Sequence, residues 1–165
     1  MRHFAILAAL SLTVTVGART AAAEEKGAFG LGLILGEPTG IAAKLYLTDD
    51  TAFDAAIGGA VVGSGIQAHF DYLWHPWILT NETAFVMPAY VGIGARVLDH
   101  DRGDADDDFH AGARVVGGIL FDFREIPLDV FIEVAFIAEW QSSGDDDHGG
   151  FGPALNAGIG GRYYF

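Results

Sequence analysis

The stretch Leu128-Asp129-Val130-Phe131-Ile132-Glu133-Val134-Ala135-Phe136-Ile137-Ala138-Glu139-Trp140 decides the fold. Leu128, Val130, Ile132, Val134, Phe136, Ala138 and Trp140 share one parity, and Asp129, Glu133 and Glu139 share the other. Side chains of a β-strand point alternately to opposite faces, so this spelling gives one uncharged apolar face and one acidic face. The rule repeats in Phe109 to Arg124. There Phe109, Ala111, Ala113, Val115, Gly117, Ile119, Phe121 and Phe123 oppose His110, Arg114, Asp122 and Arg124. In Ile66 to His75, Ile66, Ala68, Phe70, Tyr72 and Trp74 oppose Gln67, His69, Asp71 and His75, with Leu73 on the polar side.

Working outward, eight such segments can be drawn: 28–36, 40–47, 52–62, 65–75, 83–97, 109–123, 128–140 and 155–165. Most reach the roughly 9–11 residues that a tilted strand needs to cross a bilayer. Connectors after even-numbered segments are modest: Thr48–Thr51, Pro76–Glu82 and Glu125–Pro127. Two after odd-numbered segments are long, Leu98–Asp108 and Gln141–Ala154. Short turns at one end and longer loops at the other are the pattern of an outer-membrane barrel. With the first strand running outward, Phe29, Phe53, Tyr72, Trp74, Phe85, Phe121, Phe123, Tyr163 and Phe165 fall at one height, as an aromatic girdle does, and Phe109 and Trp140 mark the opposite rim. The predicted fold class is all-β: an eight-stranded antiparallel up-and-down transmembrane β-barrel.

A soluble barrel with an apolar inside would show the same alternation. Two features favour the inverted arrangement. The apolar face is bare of charge over nearly every strand. The other face mixes charges with small residues (Gly30, Gly32, Gly58, Gly92, Gly94, Gly158 and Gly160), which leave room for long side chains in a narrow lumen.

Composition agrees. The chain has 165 residues, 51% of them hydrophobic and 23 of them glycine, yet its net charge is −13. Such hydrophobicity excludes a disordered chain. The acidity excludes a nucleic-acid partner, since no basic patch could track phosphates. The absence of cysteine removes disulfides and Cys-based zinc sites. Residues 1–23 read as a secretory signal peptide: a basic Met1-Arg2-His3, an apolar Phe4 to Ala18, and the small-residue site Ala21-Ala22-Ala23. Residues 24–165 are then the barrel domain.

The last ten residues, Asn156-Ala157-Gly158-Ile159-Gly160-Gly161-Arg162-Tyr163-Tyr164-Phe165, resemble the C-terminal signature of bacterial outer-membrane barrels. The chain from residue 24 onward resembles the small eight-stranded class that contains the OmpA membrane domain, OmpX/Ail and OmpW. Gly36-Glu37-Pro38-Thr39-Gly40, Lys44, Tyr46, His69-x-Asp71-Tyr72-Leu73-Trp74-His75 and Tyr90-x-Gly92-Ile93-Gly94-x-Arg96 are similar to one branch of that class. The resemblance implies export to the outer membrane of a Gram-negative-type bacterium. It implies contact with lipid and lipopolysaccharide, and reading of Tyr163 and Phe165 by the barrel-insertion machinery.

The inward face should carry Lys44, Arg96, Arg114, Arg124 and Arg162 against Asp54, Asp71, Glu82, Asp122, Asp129, Glu133 and Glu139, with His69, His110, Tyr46, Gln67 and Tyr90 among them. An eight-stranded barrel is just wide enough inside for side chains, and buried charges must pair. Strand direction predicts Glu133 near mid-barrel with Lys44, and Glu139 near Arg96 and Arg114. It places Asp54, Asp71, Asp122 and Asp129 around Arg162 and Arg124. A plug of ion pairs is one reading of this set; a narrow channel gated by a rearranging pair is the other. Gly92-Ile93-Gly94-Ala95-Arg96 and Gly158-Ile159-Gly160-Gly161-Arg162 repeat a pattern in which inward glycines either pack or leave an arginine room to swing.

The two long connectors are acidic. Asp104, Asp106, Asp107 and Asp108 in one, and Asp145, Asp146 and Asp147 in the other, are candidate oxygen ligands for divalent cations. The spacing matches no full EF-hand, and a solvated, self-repelling loop is the simpler reading. No cofactor is expected. Nor is catalysis: the serines beyond the signal peptide are Ser64, Ser142 and Ser143, and none sits on a strand beside a histidine. The expected role is structural or envelope-associated. A small channel and a soluble secreted ligand-binding barrel stay open as alternatives.

Overall fold

A computed structural model describes residues 27–61, 65–100, 108–142 and 150–165. Eight strands follow in order: β1 (Phe29–Gly36), β2 (Thr39–Tyr46), β3 (Thr51–Gly59), β4 (Ile66–Asn81), β5 (Phe85–His100), β6 (Asp108–Phe123), β7 (Leu128–Ser142) and β8 (Gly150–Tyr164). Each pairs antiparallel with its sequence neighbours, and β8 closes on β1, so the sheet is one up-and-down barrel. Closure abolishes the free edges of an open sheet.

Closure also sets a stagger. Following register partners from Gly30 through Lys44, Asp54, Asp71, Gly94, Arg114 and Ile137 leads to Ala154, whereas Gly30 itself faces Tyr164 across the closing seam. The ring therefore closes ten residues out of step, from Ala154 to Tyr164. Strands so staggered must tilt, by roughly 35–45° in barrels of this kind.

The alternation of sequence becomes an alternation of surfaces. In β7 the even-numbered Ile132, Val134, Phe136 and Trp140 are exposed, and the odd-numbered Asp129, Phe131, Glu133, Ala135, Ile137 and Glu139 are buried. The other strands do the same, so 31 large apolar side chains are exposed among the described residues. Among the described residues the sole charged one at an outward strand position is Asp99, where β5 nears its end.

Most boundaries fall within three residues of the expected ones, β3 ending at Gly59 and β5 running to His100, but two differ by more. Pro76 to Glu82 was expected to be a connector, but β4 continues to Asn81, and its pairing with β5 slips between Trp74 and Trp77 and again between Ile78 and Thr80. A bulge lets a strand absorb a residue that cannot donate to the ladder, so Pro76 does not end β4. At the other end β8 begins at Gly150, five residues before the expected 155. Gly150 and Gly152 gave no hydrophobic alternation to read, yet Phe151, Pro153 and Leu155 pair outward with Trp140, Ala138 and Phe136.

The lumen is more apolar than its charges suggested. Ile34, Leu73, Val116, Leu120, Phe131 and Ile137 are buried inside with the polar set. Inward glycines make room for them. A Cβ on Gly160 would collide with the Phe131 ring, one on Gly118 with the Tyr90 hydroxyl, and one on Gly158 would meet the Ile34 side chain at 2.8 Å. The space beside Gly92 is filled by Leu73, and that beside Gly94 by the Asp71 carboxylate. The repeated Gly-x-Gly pattern is therefore a packing device, and the glycines do not leave Arg96 or Arg162 empty space to swing into.

Candidate functional site

The functional candidate is the lumen, where thirteen polar or charged residues are buried among the described ones. The closing stagger orders them in tiers. Nearest the short turns, Arg162 is fully buried between two carboxylates. Its Nε donates to Asp129 Oδ1 at 3.1 Å and its Nη1 to Asp54 Oδ2. Tyr164 donates its hydroxyl to Asp129 Oδ2 at 2.6 Å, and the Phe131 ring lies 4.0 Å below the guanidinium carbon. A planar fork that can reach two carboxylates while stacking on a ring is arginine chemistry, which lysine could not reproduce.

Lys44 occupies the same end. Its Nζ approaches His75 Nε2 at 2.8 Å, and it lies 4.9 Å from the Tyr46 ring centroid and 5.1 Å from that of Tyr90. An ammonium has only donors, so Nε2 accepts; the His75 proton then sits on Nδ1, which donates to the Asp50 carbonyl at 3.1 Å. Lys44 was expected near mid-barrel with Glu133; its ammonium hydrogen-bonds to His75, toward the short-turn end.

In the middle tier Arg114 is the bridge. Its Nε donates to Asp71 Oδ2 at 2.9 Å and its Nη2 to Glu133 Oε1 at 2.5 Å, and Tyr90 donates to Glu133 Oε2 at 3.2 Å. Arg114 was expected with Glu139, and Asp71 with Arg162. The guanidinium instead reaches toward the short-turn end, where Glu133 lies four residues along β7 from Ile137, the register partner of Arg114. Toward the long-loop end, Arg96 donates to Asn156 Oδ1 at 3.0 Å and pairs with Glu139 at 3.3 Å, and His110 Nδ1 lies 3.3 Å from the same carboxylate.

The remaining candidates fall elsewhere. Asp122 is half-buried at the short-turn rim, opposite Asp129 in register. Arg124 and Glu82, expected inside, are exposed at that rim, where Arg124 donates to Asn81. The reason is that β6 ends at Phe123 and β4 at Asn81, so both residues have left the barrel wall. Tyr163 and Phe165 point outward with ring centroids 5.3 Å apart. Asp108 opens β6 opposite His100; Asp104, Asp106, Asp107, Asp145, Asp146 and Asp147 lie outside the described residues. Among the described residues no group of three His, Asp or Glu side chains is arranged to hold a metal ion.

Asn156 and Tyr164 were missing from the expected lumen set, and His75, placed on the polar face of its strand, was not named among the inward groups. Parity could have supplied the first two, since Asn156 and Tyr164 share the face of Arg162.

No protein-family model matches the chain, and no curated protein matches it either. Among solved structures it is similar to the N-terminal β-barrel domain of Pseudomonas aeruginosa OprF, with a TM-score of 0.49 and 18% identity over 83% of this chain and 94% of that one. The functional reading therefore rests on the chain's own surfaces.

Proposed function

We propose that the protein is an integral outer-membrane β-barrel with a closed, ion-paired lumen, and that its role is structural or envelope-associated. The observation that carries this reading is the inversion of polarity: charge and hydrogen-bonding groups inside, an uncharged apolar belt outside. Soluble monomers rarely expose contiguous apolar patches larger than a few hundred Å²; here exposed Leu, Ile, Val, Phe and Trp side chains encircle the barrel on all eight strands. In hydrocarbon the same belt is favourable, and the ladder satisfies the backbone wherever neighbouring strands pair, which on the closing seam is up to Gly36 and Gly158. Tyr163 and Phe165 serve the reading as the segment recognised during insertion, and residues 1–23 as the export signal. The surface partners are lipid and lipopolysaccharide. The loop aspartates serve the reading as solvated surface charge, and are candidate oxygen ligands for divalent cations there.

Closure of the lumen favours the plug over the channel. Arg114, Arg162, Tyr90, Tyr164, Lys44 and Phe131 are among the largest fully buried side chains, and they span both lower tiers. In planar bilayers the wild type should therefore be silent. Arg162→Ala, which opens the tier nearest the short turns, should give small conductance steps. Conductance of the wild type equal to that of this variant would replace the plug with the channel.

A further inference from the structure

The two sides of the barrel differ in height. On β1 the outward apolar residues run from Phe29 to Leu35, and β2 returns from Thr39. On β7 they run from Leu128 to Trp140. At about 2.5 Å of height per tilted residue, the first belt is about 15 Å tall and the second about 30 Å. Bacterial barrels usually present about 25 Å. The bottoms of the walls are level, because the stagger of ten residues spread over eight strands is about one and a quarter residues per strand. By this stagger Leu31 on β1 and Ile119 on β6 share one height to within about one residue, and so do Leu35 and Val115. All four are outward-facing and exposed.

What lies above the low wall is polar. The β1–β2 turn holds Glu37, whose carboxylate accepts the Val61 amide at 2.9 Å, and an exposed Thr39 whose hydroxyl bonds Gly36 at 3.0 and 3.1 Å. At the corresponding height β7 carries Phe136 and β8 carries Leu155, both more than 60% exposed. Beside the turn, β8 rises past the end of β1. The Ala157 carbonyl accepts from Glu37 N, so the backbone groups of Leu155, Pro153 and Phe151 face the same way. Among the described residues no strand pairs with that edge. Unpaired backbone groups are not tolerated in hydrocarbon, and Pro153 has no N–H with which to extend a ladder to a second copy of the chain.

We infer that the low β1–β2 wall draws the hydrated headgroups of the loop-side leaflet down to a level at which β6 and β7 still meet acyl chains. The inference rests on the membrane reading above. Its partner is the lipid headgroup layer, which supplies the water and hydrogen bonds that Thr39, Glu37 and the β8 edge require. The bilayer responds by thinning locally, as it does for short apolar spans.

The chain has no cysteine, so single labels can be placed by Leu35→Cys, Val115→Cys, Leu31→Cys and Ile119→Cys, each carrying the same small fluorophore. The barrels are refolded into phosphatidylcholine vesicles with a nitroxide either on the headgroup or near the chain end. Leu31 and Ile119 labels should be quenched alike. The Leu35 label should be quenched about twofold or more strongly by the headgroup nitroxide than the Val115 label, with the order reversed for the chain-end nitroxide. Equal depth for Leu35 and Val115 would overturn the inference and leave the membrane reading intact. A depth difference of the same size between Leu31 and Ile119 would also overturn it, since that is a rigidly tilted barrel. Four labels untouched by either lipid would instead overturn the membrane reading itself. Unfolded material is recognised by loss of the heat-dependent band shift and is set aside variant by variant.

Discussion

The two faces of β7 obey different rules. Its outward face has one requirement, to be apolar, and Leu128, Val130, Ile132, Val134, Phe136, Ala138 and Trp140 meet it, Trp140 with its ring edge-on to Phe151. Its inward face has a separate requirement at each position. Asp129 must receive Arg162 and Tyr164, Phe131 must fit over Gly160, and Glu133 must receive Arg114 and Tyr90. The outside is selected by its solvent and the inside by its neighbours. Substitution costs should divide accordingly.

The largest effect is expected inside. Arg162→Ala leaves Asp54 and Asp129 buried with their shared cation removed, which should cost about 3–5 kcal/mol. Urea unfolding in vesicles, followed by tryptophan fluorescence, reads this directly. An unchanged midpoint would mean that the inner face is as tolerant as the outer. On the outer face the damaging change is charge: Val134→Arg should cost about 2–4 kcal/mol in a bilayer. In a barrel whose outer face met water, the same change would be nearly neutral, so this variant separates the two solvents. Tyr164→Phe removes one charge-assisted hydrogen bond to Asp129 while keeping the ring, and about 1.5–3 kcal/mol is expected in the same assay. Smallest is Ile132→Leu, an apolar exchange on the outer face, expected within about 0.5 kcal/mol. A cost above that of Tyr164→Phe would show that Ile132 has a specific partner after all.

The same division explains what could be read before the fold was known. The outward set was legible residue by residue because a single rule generates it, and parity alone gave the strands, their number and their faces. Inward membership was legible for the same reason: Lys44, Asp54, Asp71, Arg96, Arg114, Asp129, Glu133, Glu139 and Arg162 are all buried in the lumen. Their partners were not. Pairing depends on side-chain reach across a lumen whose stagger is set only when β8 meets β1. Arg114 extends toward the short-turn end to Asp71 and Glu133, and Lys44 meets His75 from a strand two positions away. The bulges around Pro76 were hidden because proline ordinarily stops a strand. The start of β8 was hidden because Gly150 and Gly152 carry no polarity to alternate. The unequal walls follow from strand lengths, which sequence gives only to within a few residues.

The account turns on which solvent the apolar belt meets, and sedimentation of cell extracts tests that most directly. Cells producing the chain are broken and washed with alkaline carbonate, and the envelope is pelleted. The protein should stay in the pellet, leave it only with detergent, and migrate differently on gels before and after boiling. Recovery as a stable monomer in the detergent-free soluble fraction, with no such shift, would contradict the account.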